Sequence, residues 1–277
     1  MFRLEVFKKA SLCRNFENET FKQLQNKNIK IPTYLSAGQE YIAATIANYV
    51  EQIGESVDIF IQHRGHSTYL SFGGDPRELI KELLGDKSGC ANGMGGSASI
   101  QSIEKNIYGH DGLMGSNVTI GVGSCYASKR PTIIFVGDSA VEEDYALASI
   151  GWAATKKLPV LFVVEDNNLS ILTEKKVRRS WNIHEVAQGF GVKSFDVIDD
   201  PNDIDFCLSD NDAFKEPILL NINTIRKYWH AGAGIDDPNV FDRYEDEMKE
   251  LGQQAVDIHE ETKIYVRGVW EEQLNQQ

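Results

Sequence analysis

Ile133-Ile134-Phe135-Val136-Gly137-Asp138-Ser139, answered by Pro159-Val160-Leu161-Phe162-Val163-Val164-Glu165-Asp166-Asn167-Asn168, is the pair of stretches that decides the fold. Each reads as a buried strand that ends in a short, oxygen-bearing side chain. The segment between them, Glu142 to Lys157, reads as one helix of about four turns. A strand, helix and strand of this size form a right-handed crossover, so the two strands lie parallel in one sheet. Asp138 and Asn167 then emerge side by side at the carboxyl edge, where open parallel sheets bind their ligands. A carboxylate and an amide oxygen converging there suit a hard cation such as magnesium, which usually shares its remaining positions with phosphates. The expected ligand of this edge is a metal-diphosphate.

The rest of the composition narrows the class. At 277 residues the chain has room for one large α/β domain or two small ones, and 42% hydrophobic content fits a globular protein with a real core. No apolar run approaches the ~20 residues of a membrane span. Met1-Phe2-Arg3-Leu4-Glu5 lacks the apolar core of a signal peptide. Cys13, Cys90, Cys125 and Cys207 are scattered with no CxxC pair, which points to reduced thiols and a cytoplasmic protein rather than a zinc site or disulfide scaffold. A formal net charge of −13 argues against a nucleic-acid partner, because no basic stripe is available to displace counterions.

Along the chain, residues 3–25 have helical periodicity, and Tyr41 to Ile53 reads as a buried helix. Val57-Asp58-Ile59-Phe60-Ile61 is a short strand ending in His63-Arg64-Gly65-His66. Asp75-Pro76 opens a helix through Leu84, with proline at a tolerated first-turn position. Residues 85–123 are dense in glycine, as in tight turns or backbone that approaches a ligand closely. Apolar residues within that stretch (Ile100, Ile103, Ile107, Leu113, Met114) favour an ordered, packed loop over a flexible one. Residues 170–181 read as a mobile basic loop. Val192 to Ile198 and Pro217 to Ile222 add strands, with a helix around 202–214 between them, and the tail from Phe241 is helical. With no repeat and no low-complexity linker, the expectation is one domain, residues 1–277, with helical extensions at both ends.

A lone Gly-Asp-Ser triplet is an ordinary strand-to-turn junction; the second strand end at Asn167 gives it weight. Glu142 and Glu143 fit the first turn of the intervening helix, where acids favour its dipole. Gly121-Val122-Gly123-Ser124 lacks the third glycine, the preceding strand and the acid of a dinucleotide fingerprint. His63 and His66 as an HxxH metal pair lack helical context and further ligands. An arginine just past a strand end suits bidentate phosphate recognition, so Arg64 is a candidate anion contact. His66 beside it can donate a proton or anchor a polar group. Arg226-Lys227-Tyr228-Trp229-His230 follows a strand end in the same way, before Ala231-Gly232-Ala233-Gly234, and makes His230 a second acid–base candidate. Surface or merely satisfied histidines are the rival readings for both.

Taken together these motifs resemble the alpha subunit of thiamine-diphosphate-dependent 2-oxoacid dehydrogenases of the pyruvate and acetoin type. The family's metal motif opens with Gly-Asp-Gly and closes with an asparagine-bearing strand end, matched by Gly137-Asp138-Ser139 and Glu165-Asp166-Asn167. Ser36-Ala37-Gly38-Gln39-Glu40 is similar to the family's Ser-x-Gly-Gln-Glu. Gly95-Gly96-Ser97, the run Tyr108 to Gly115 and the segment Arg226 to His230 follow in the family's order, so the resemblance spans roughly residues 10 to 245.

The resemblance implies a three-layer fold, a parallel sheet between helices, that binds the diphosphate half of the cofactor. It implies that Asp138, Asn167 and the backbone carbonyl of Leu169 hold Mg2+, with Arg64 as a further diphosphate contact. Gly137, Ser139 and Ala140 would line the diphosphate, Gly112 and Met114 would sit against the aminopyrimidine, and His66 and His230 would face the reacting carbon. The glutamate that activates the cofactor would come from a separate beta subunit, typically in a two-alpha, two-beta assembly. The enzyme would decarboxylate a small 2-oxo acid and pass the acyl unit to a lipoyl group on an acyltransferase. A thiamine-dependent carbon–carbon ligase or lyase of transketolase or acyloin type is the alternative, and a non-catalytic regulatory subunit a third. Ser139 for glycine, Asp166 for asparagine, Met114 for a smaller branched residue and Ala231 for a phosphorylatable serine mark the chain as divergent.

Overall fold

The computed structural model describes residues 1–232, 234, 236 and 239–276. In chain order its strands are β1 (Asp58–Phe60), β2 (Ile107–Tyr108), β3 (Thr132–Gly137), β4 (Val160–Asp166), β5 (Leu169–Ser170), β6 (Thr173–Glu174), β7 (Lys193–Ile198) and β8 (Ile218–Asn223). Six of them form one sheet in the order β2-β1-β3-β4-β8-β7, and every pairing in it is parallel. β5 and β6 make a small antiparallel hairpin beyond the end of β4.

Alternation along the central strands explains the layers. Ile133, Phe135, Leu161 and Val163 point into one apolar cluster with Phe16, Ile42, Ile46, Ile204 and Trp270. Ile134, Val136, Phe162 and Val164 point into a second cluster with Val118, Val122, Ile150, Ala153, Ile183 and Ala187. Helices Phe2–Gln25, Glu40–Ile53, Pro201–Ser209 and Gln253–Leu274 therefore cover the first face. Helices Ser116–Ser128, Asp144–Lys156 and Ile183–Gly189 cover the second. A strand buried on both faces needs apolar residues at every position, which is why β3 and β4 read as continuous hydrophobic runs. The helices at the two ends of the chain lie against each other, with the Phe16 and Trp270 rings 6.2 Å apart.

The topology also locates a crevice. From β1 the chain passes through helices His66–Ser71 and Pro76–Leu83, which pack on the first face, to β2 on the outer side of β1. From β3 it passes through helix Asp144–Lys156 on the second face to β4. The connections diverge between β1 and β3, and such a switch point leaves a gap at the carboxyl edge.

Several boundaries differ from expectation for identifiable reasons. The helix read from Glu142 starts at Asp144, because Glu143 is extended (ψ 137) and separates it from a 3-10 turn, Ala140–Glu142. The helix read over 202–214 opens with Pro201 and an Asp200 side chain that accepts from the Asn202 amide, but ends at Ser209. Residues 170–181, read as a mobile loop, fold into β5, β6 and one helical turn, Lys175–Arg178. Gly252, at φ +66, splits the C-terminal helix into Arg243–Leu251 and Gln253–Leu274. Among the described residues no helix is long and apolar enough to cross a membrane.

The glycine-dense stretch is ordered, but not mainly by its apolar residues. Ile100 and Ile107 are buried, whereas Ile103, Leu113 and Met114 are exposed. Its organiser is Glu82, a fully buried carboxylate that accepts the backbone N–H groups of Ala91, Gly93, Gly95 and Gly96 at 2.7 to 2.9 Å. Glycine is required because the backbone folds back on itself: a Cβ at Gly95 would meet the Ser99 carbonyl at 2.6 Å. Glu82→Gln replaces one acceptor oxygen with a donor facing amide donors. We expect it to lower stability by at least ~2 kcal/mol and to speed hydrogen exchange at Gly93, Gly95 and Gly96 while β3 and β4 stay protected. Unchanged exchange at those three amides would show that the carboxylate does not hold the loop.

Candidate functional site

β1 leads into Gln62-His63-Arg64, β3 into Gly137-Asp138-Ser139-Ala140 and β4 into Asn167, Leu169 and Ile171. These segments, with Tyr34, Gly112, Met114, His110 and His230, line a cavity of about 360 Å³ at the switch point. Arg64, Gly112, Met114, Gly137, Asp138, Ser139, Ala140, Asn167, Leu169 and His230, all chosen from the sequence, thus meet in one space.

His66 does not join them. It is fully buried at the start of its helix, with Nδ1 3.1 Å from both Glu17 oxygens and Nε2 2.9 Å from Ser97 Oγ. The histidine of that motif that faces the cavity is His63. Tyr34, Gln62, His63 and His110 were passed over in the sequence. Gln62 and His63 carried a local signal, their place directly after a strand; Tyr34 and His110 arrive from distant segments.

The positive side of the site is built from buried arginines. Arg64 is 3% exposed; it donates from Nη1 to the Leu35 carbonyl at 2.5 Å and from Nη2 to His230 Nδ1 at 3.0 Å. Burial and the neighbouring Arg226 pull its pKa down to about 10. A guanidinium has only donors, so His230 must accept at Nδ1 and carry its proton on Nε2. Burial, Arg64 and Arg226 push His230 down to about 4. Burial and then Arg64, His110 and His230 push His63 down to about 2. Burial lowers His110 as well, and its Nδ1 accepts the Gly112 amide at 3.0 Å. All three histidines are neutral at physiological pH.

The oxygen side lies at the ends of β3 and β4. Burial and the nearby Asp166 raise Asp138 to about 6, against the pull of Arg178, whose Nη2 donates to Oδ2 at 2.5 Å. Arg179 donates to the Asp138 carbonyl at 2.9 Å. Asn167 donates from Nδ2 to Gln39 Oε1 at 3.2 Å, and its Oδ1 accepts the Leu169 amide at 3.1 Å. Asp166, where extra negative charge was expected, is paired with Lys175 and also accepts from Asn221 at 3.2 Å. Ser139 has φ −88 and ψ −34, a conformation open to any residue, so the missing second glycine of the motif costs nothing here. Ala233, read as part of a flexible run, lies outside the described residues.

These residues fit a metal-diphosphate. Arg64 and Arg226 are buried and donate to backbone carbonyls and to His230 rather than to carboxylates, so their charge is incompletely compensated, whereas Arg179 pairs with Glu142 at 3.3 Å. The Nε groups of Arg179 and Arg226 are buried without a hydrogen-bond partner, which is costly unless an anion is near. Asp138 carboxylate, Asn167 amide oxygen and Leu169 carbonyl are hard oxygen donors of the kind magnesium takes. Among the described residues no group of three or more His, Cys, Asp or Glu could hold a metal. Gly112, at φ +100, has no atom within 4 Å of where a Cβ would stand, leaving room for a ring.

The profile of the family described as Dehydrogenase E1 component matches residues 8–277. The chain is 28% identical over 252 residues to a pyruvate dehydrogenase E1 component subunit alpha of Rickettsia felis, covering 85% of this chain and 74% of that one. It is 28% identical over 270 residues to the mitochondrial subunit alpha-1 of Oryza sativa, covering 94% and 67%. To the alpha subunit of an acetoin:2,6-dichlorophenolindophenol oxidoreductase of Cupriavidus necator it is 30% identical over 200 residues, covering 70% and 59%. Among solved structures, transketolase from Campylobacter jejuni superposes with a TM-score of 0.59 at 14% identity, over 98% of this chain and 48% of that one. At that identity the likeness is one of fold.

The lowered histidines give the fold a pH dependence. Unfolded, His63 and His230 take a proton near 6.5; folded, they refuse it until about 2 and about 4. Stability is therefore full above pH 6.5 and falls as pH drops below it, by up to ~1.4 kcal/mol per pH unit for the more buried His63. His63→Gln should flatten the loss between pH 6.5 and 5 in urea titrations; an unaltered slope would mean that His63 titrates normally.

Proposed function

The chain belongs to the Dehydrogenase E1 component family, and on that footing we propose that it is the alpha subunit of a thiamine-diphosphate- and magnesium-dependent enzyme that decarboxylates a small 2-oxo acid. The observation that carries this is the meeting of incompletely compensated, buried arginines with the oxygen donors of two adjacent strand ends. Asp138, Asn167 and the Leu169 carbonyl would hold Mg2+, and Arg64 with Arg226 would offset the diphosphate charge. The amides of Ser139 and Ala140, beside Gly137, would line the diphosphate, and Gly112 and Met114 would flank the aminopyrimidine. His230, with its proton on Nε2, would hydrogen-bond to the substrate near the reacting carbon. Thiamine diphosphate, when bound, supplies the carbon nucleophile and electron sink that 2-oxo acid decarboxylation needs.

In this reading a beta subunit contributes the activating glutamate, the assembly is two-alpha, two-beta, and the acyl unit goes to a lipoyl group on an acyltransferase. A cytoplasmic location belongs to the same proposal. The transketolase likeness is one of fold alone and does not favour carbon–carbon ligation.

Calorimetry of the chain in complex with its beta partner tests the core of the proposal. We expect magnesium-dependent binding of thiamine diphosphate, weakened at least about a hundredfold by Asp138→Ala. No binding by the wild-type complex would overturn it. Turnover of 2-oxo acids with lipoamide, and not with aldehydes, is the expected acceptor profile; the reverse would move the chain to the ligases.

A further inference from the structure

Tyr34 lines the cavity on a segment without regular secondary structure. Its ring stands edge-on to His63 at 5.0 Å between centroids and to His230 at 5.1 Å. His63 in turn lies 5.8 Å from His230 and 6.0 Å from His110. Four rings thus make one wall of the cavity, and its three histidines are uncharged. The strand ends at Asp138 and Asn167 line the same cavity, and Arg64 is hydrogen-bonded to His230 of the ring group at 3.0 Å. A diphosphate belongs with the charges. A neutral aromatic wall suits the organic body of a reactant.

A buried chain of hydrogen bonds fixes where Tyr34 stands. The Tyr34 amide donates to Ser97 Oγ at 2.9 Å, and Ser97 Oγ is 2.9 Å from His66 Nε2. His66 Nδ1 reaches both oxygens of Glu17 at 3.1 Å. Glu17 also accepts the Ser36 amide at 2.7 Å and the Ser36 hydroxyl at 2.5 Å. Between Tyr34 and Ser36, the Leu35 carbonyl accepts from Arg64. Ser97 Oγ thus accepts the Tyr34 amide and is hydrogen-bonded to His66 Nε2, while His66 Nδ1 faces the Glu17 carboxylate. Glu17 and His66 are fully buried and Ser97 is 1% exposed, so none of them reaches a reactant. The group that does reach the cavity from this chain is Tyr34.

We propose that Tyr34 is a substrate-contacting, specificity-determining residue, and that Glu17, His66 and Ser97 are positioning residues that act through it. This rests on the function proposed above, since the contact is with the 2-oxo acid's side chain. Removing the ring should enlarge the space offered to that side chain; removing the Ser97 hydroxyl should let the ring wander without emptying the site.

The test uses the complex with the beta partner and three readouts: thiamine diphosphate affinity, kcat and KM. Tyr34→Ala should leave cofactor affinity within about threefold, lower kcat/KM for the smallest accepted 2-oxo acid at least about tenfold, and shift preference toward longer side chains by a similar factor. Ser97→Ala should raise KM more than it lowers kcat, and Ser97→Thr, which keeps the hydroxyl, should restore it. In the Tyr34→Ala background, Ser97→Ala should have no further effect, because the two act as a unit. Wild-type kcat/KM and selectivity in Tyr34→Ala would overturn the contact, and additive losses in the double variant would overturn the positioning chain. A wild-type complex that binds cofactor yet turns over no 2-oxo acid overturns the proposed function and this inference together. A wild-type complex that works while Tyr34→Ala is indistinguishable from it overturns this inference alone.

Discussion

Parallel pairing of β3 with β4 is the constraint on which the rest of this molecule depends. With Gly137 opposite Glu165, the pairing delivers Asp138 beside Asp166 and Asn167 in a place that excludes water. Two carboxylates brought together there raise the free energy of the fold unless cations answer them. Lys175 and Arg178 come from the helical turn after the β5–β6 hairpin and pair with Asp166 and Asp138 respectively. The hairpin is therefore ordered by charge compensation more than by apolar burial, since Ile171 and Leu172 at its tip are exposed. The same electrostatics tie the sheet, a local apolar feature, to segments far along the chain.

Much of this was legible in the sequence because it follows from short-range rules. The continuous apolar runs of β3 and β4 announced strands buried on both faces, and the crossover rule placed Asp138 and Asn167 together. Pro76 marked a helix start, and the Asp75 side chain caps it. What was not legible depends on contacts between distant residues. Hairpin β5–β6 looked like a mobile basic loop because its partners, Asp138 and Asp166, lie outside any local window. Glu82 lies within the helix opened by Asp75-Pro76 and carries no local sign of its role, yet it organises the glycine stretch. His66 and His63 stand three residues apart, and only the packing of Glu17 and Ser97 decides which of them is buried.

The divergent positions make sense in the same terms. Ser139 occupies ordinary backbone geometry, so a glycine there is not required. Asp166 keeps its charge because Lys175 sits against it. Its substitution and the lysine form one electrostatic unit, and either alone would be unfavourable.

The contact between the first and last long helices has a consequence for how the polypeptide is made. Helix Phe2–Gln25 presents Phe16 to Trp270, and Asn15 donates to the His259 carbonyl at 3.3 Å. Asn15 and His259 are 244 residues apart in sequence. During vectorial synthesis helix Phe2–Gln25 precedes its partner, and its apolar face stays uncovered there until helix Gln253–Leu274 follows it. Sheet pairing between β3, β4 and β8 can begin sooner, but the first face stays open until then. The first face of the sheet is thus completed by two helices from opposite ends of the described residues.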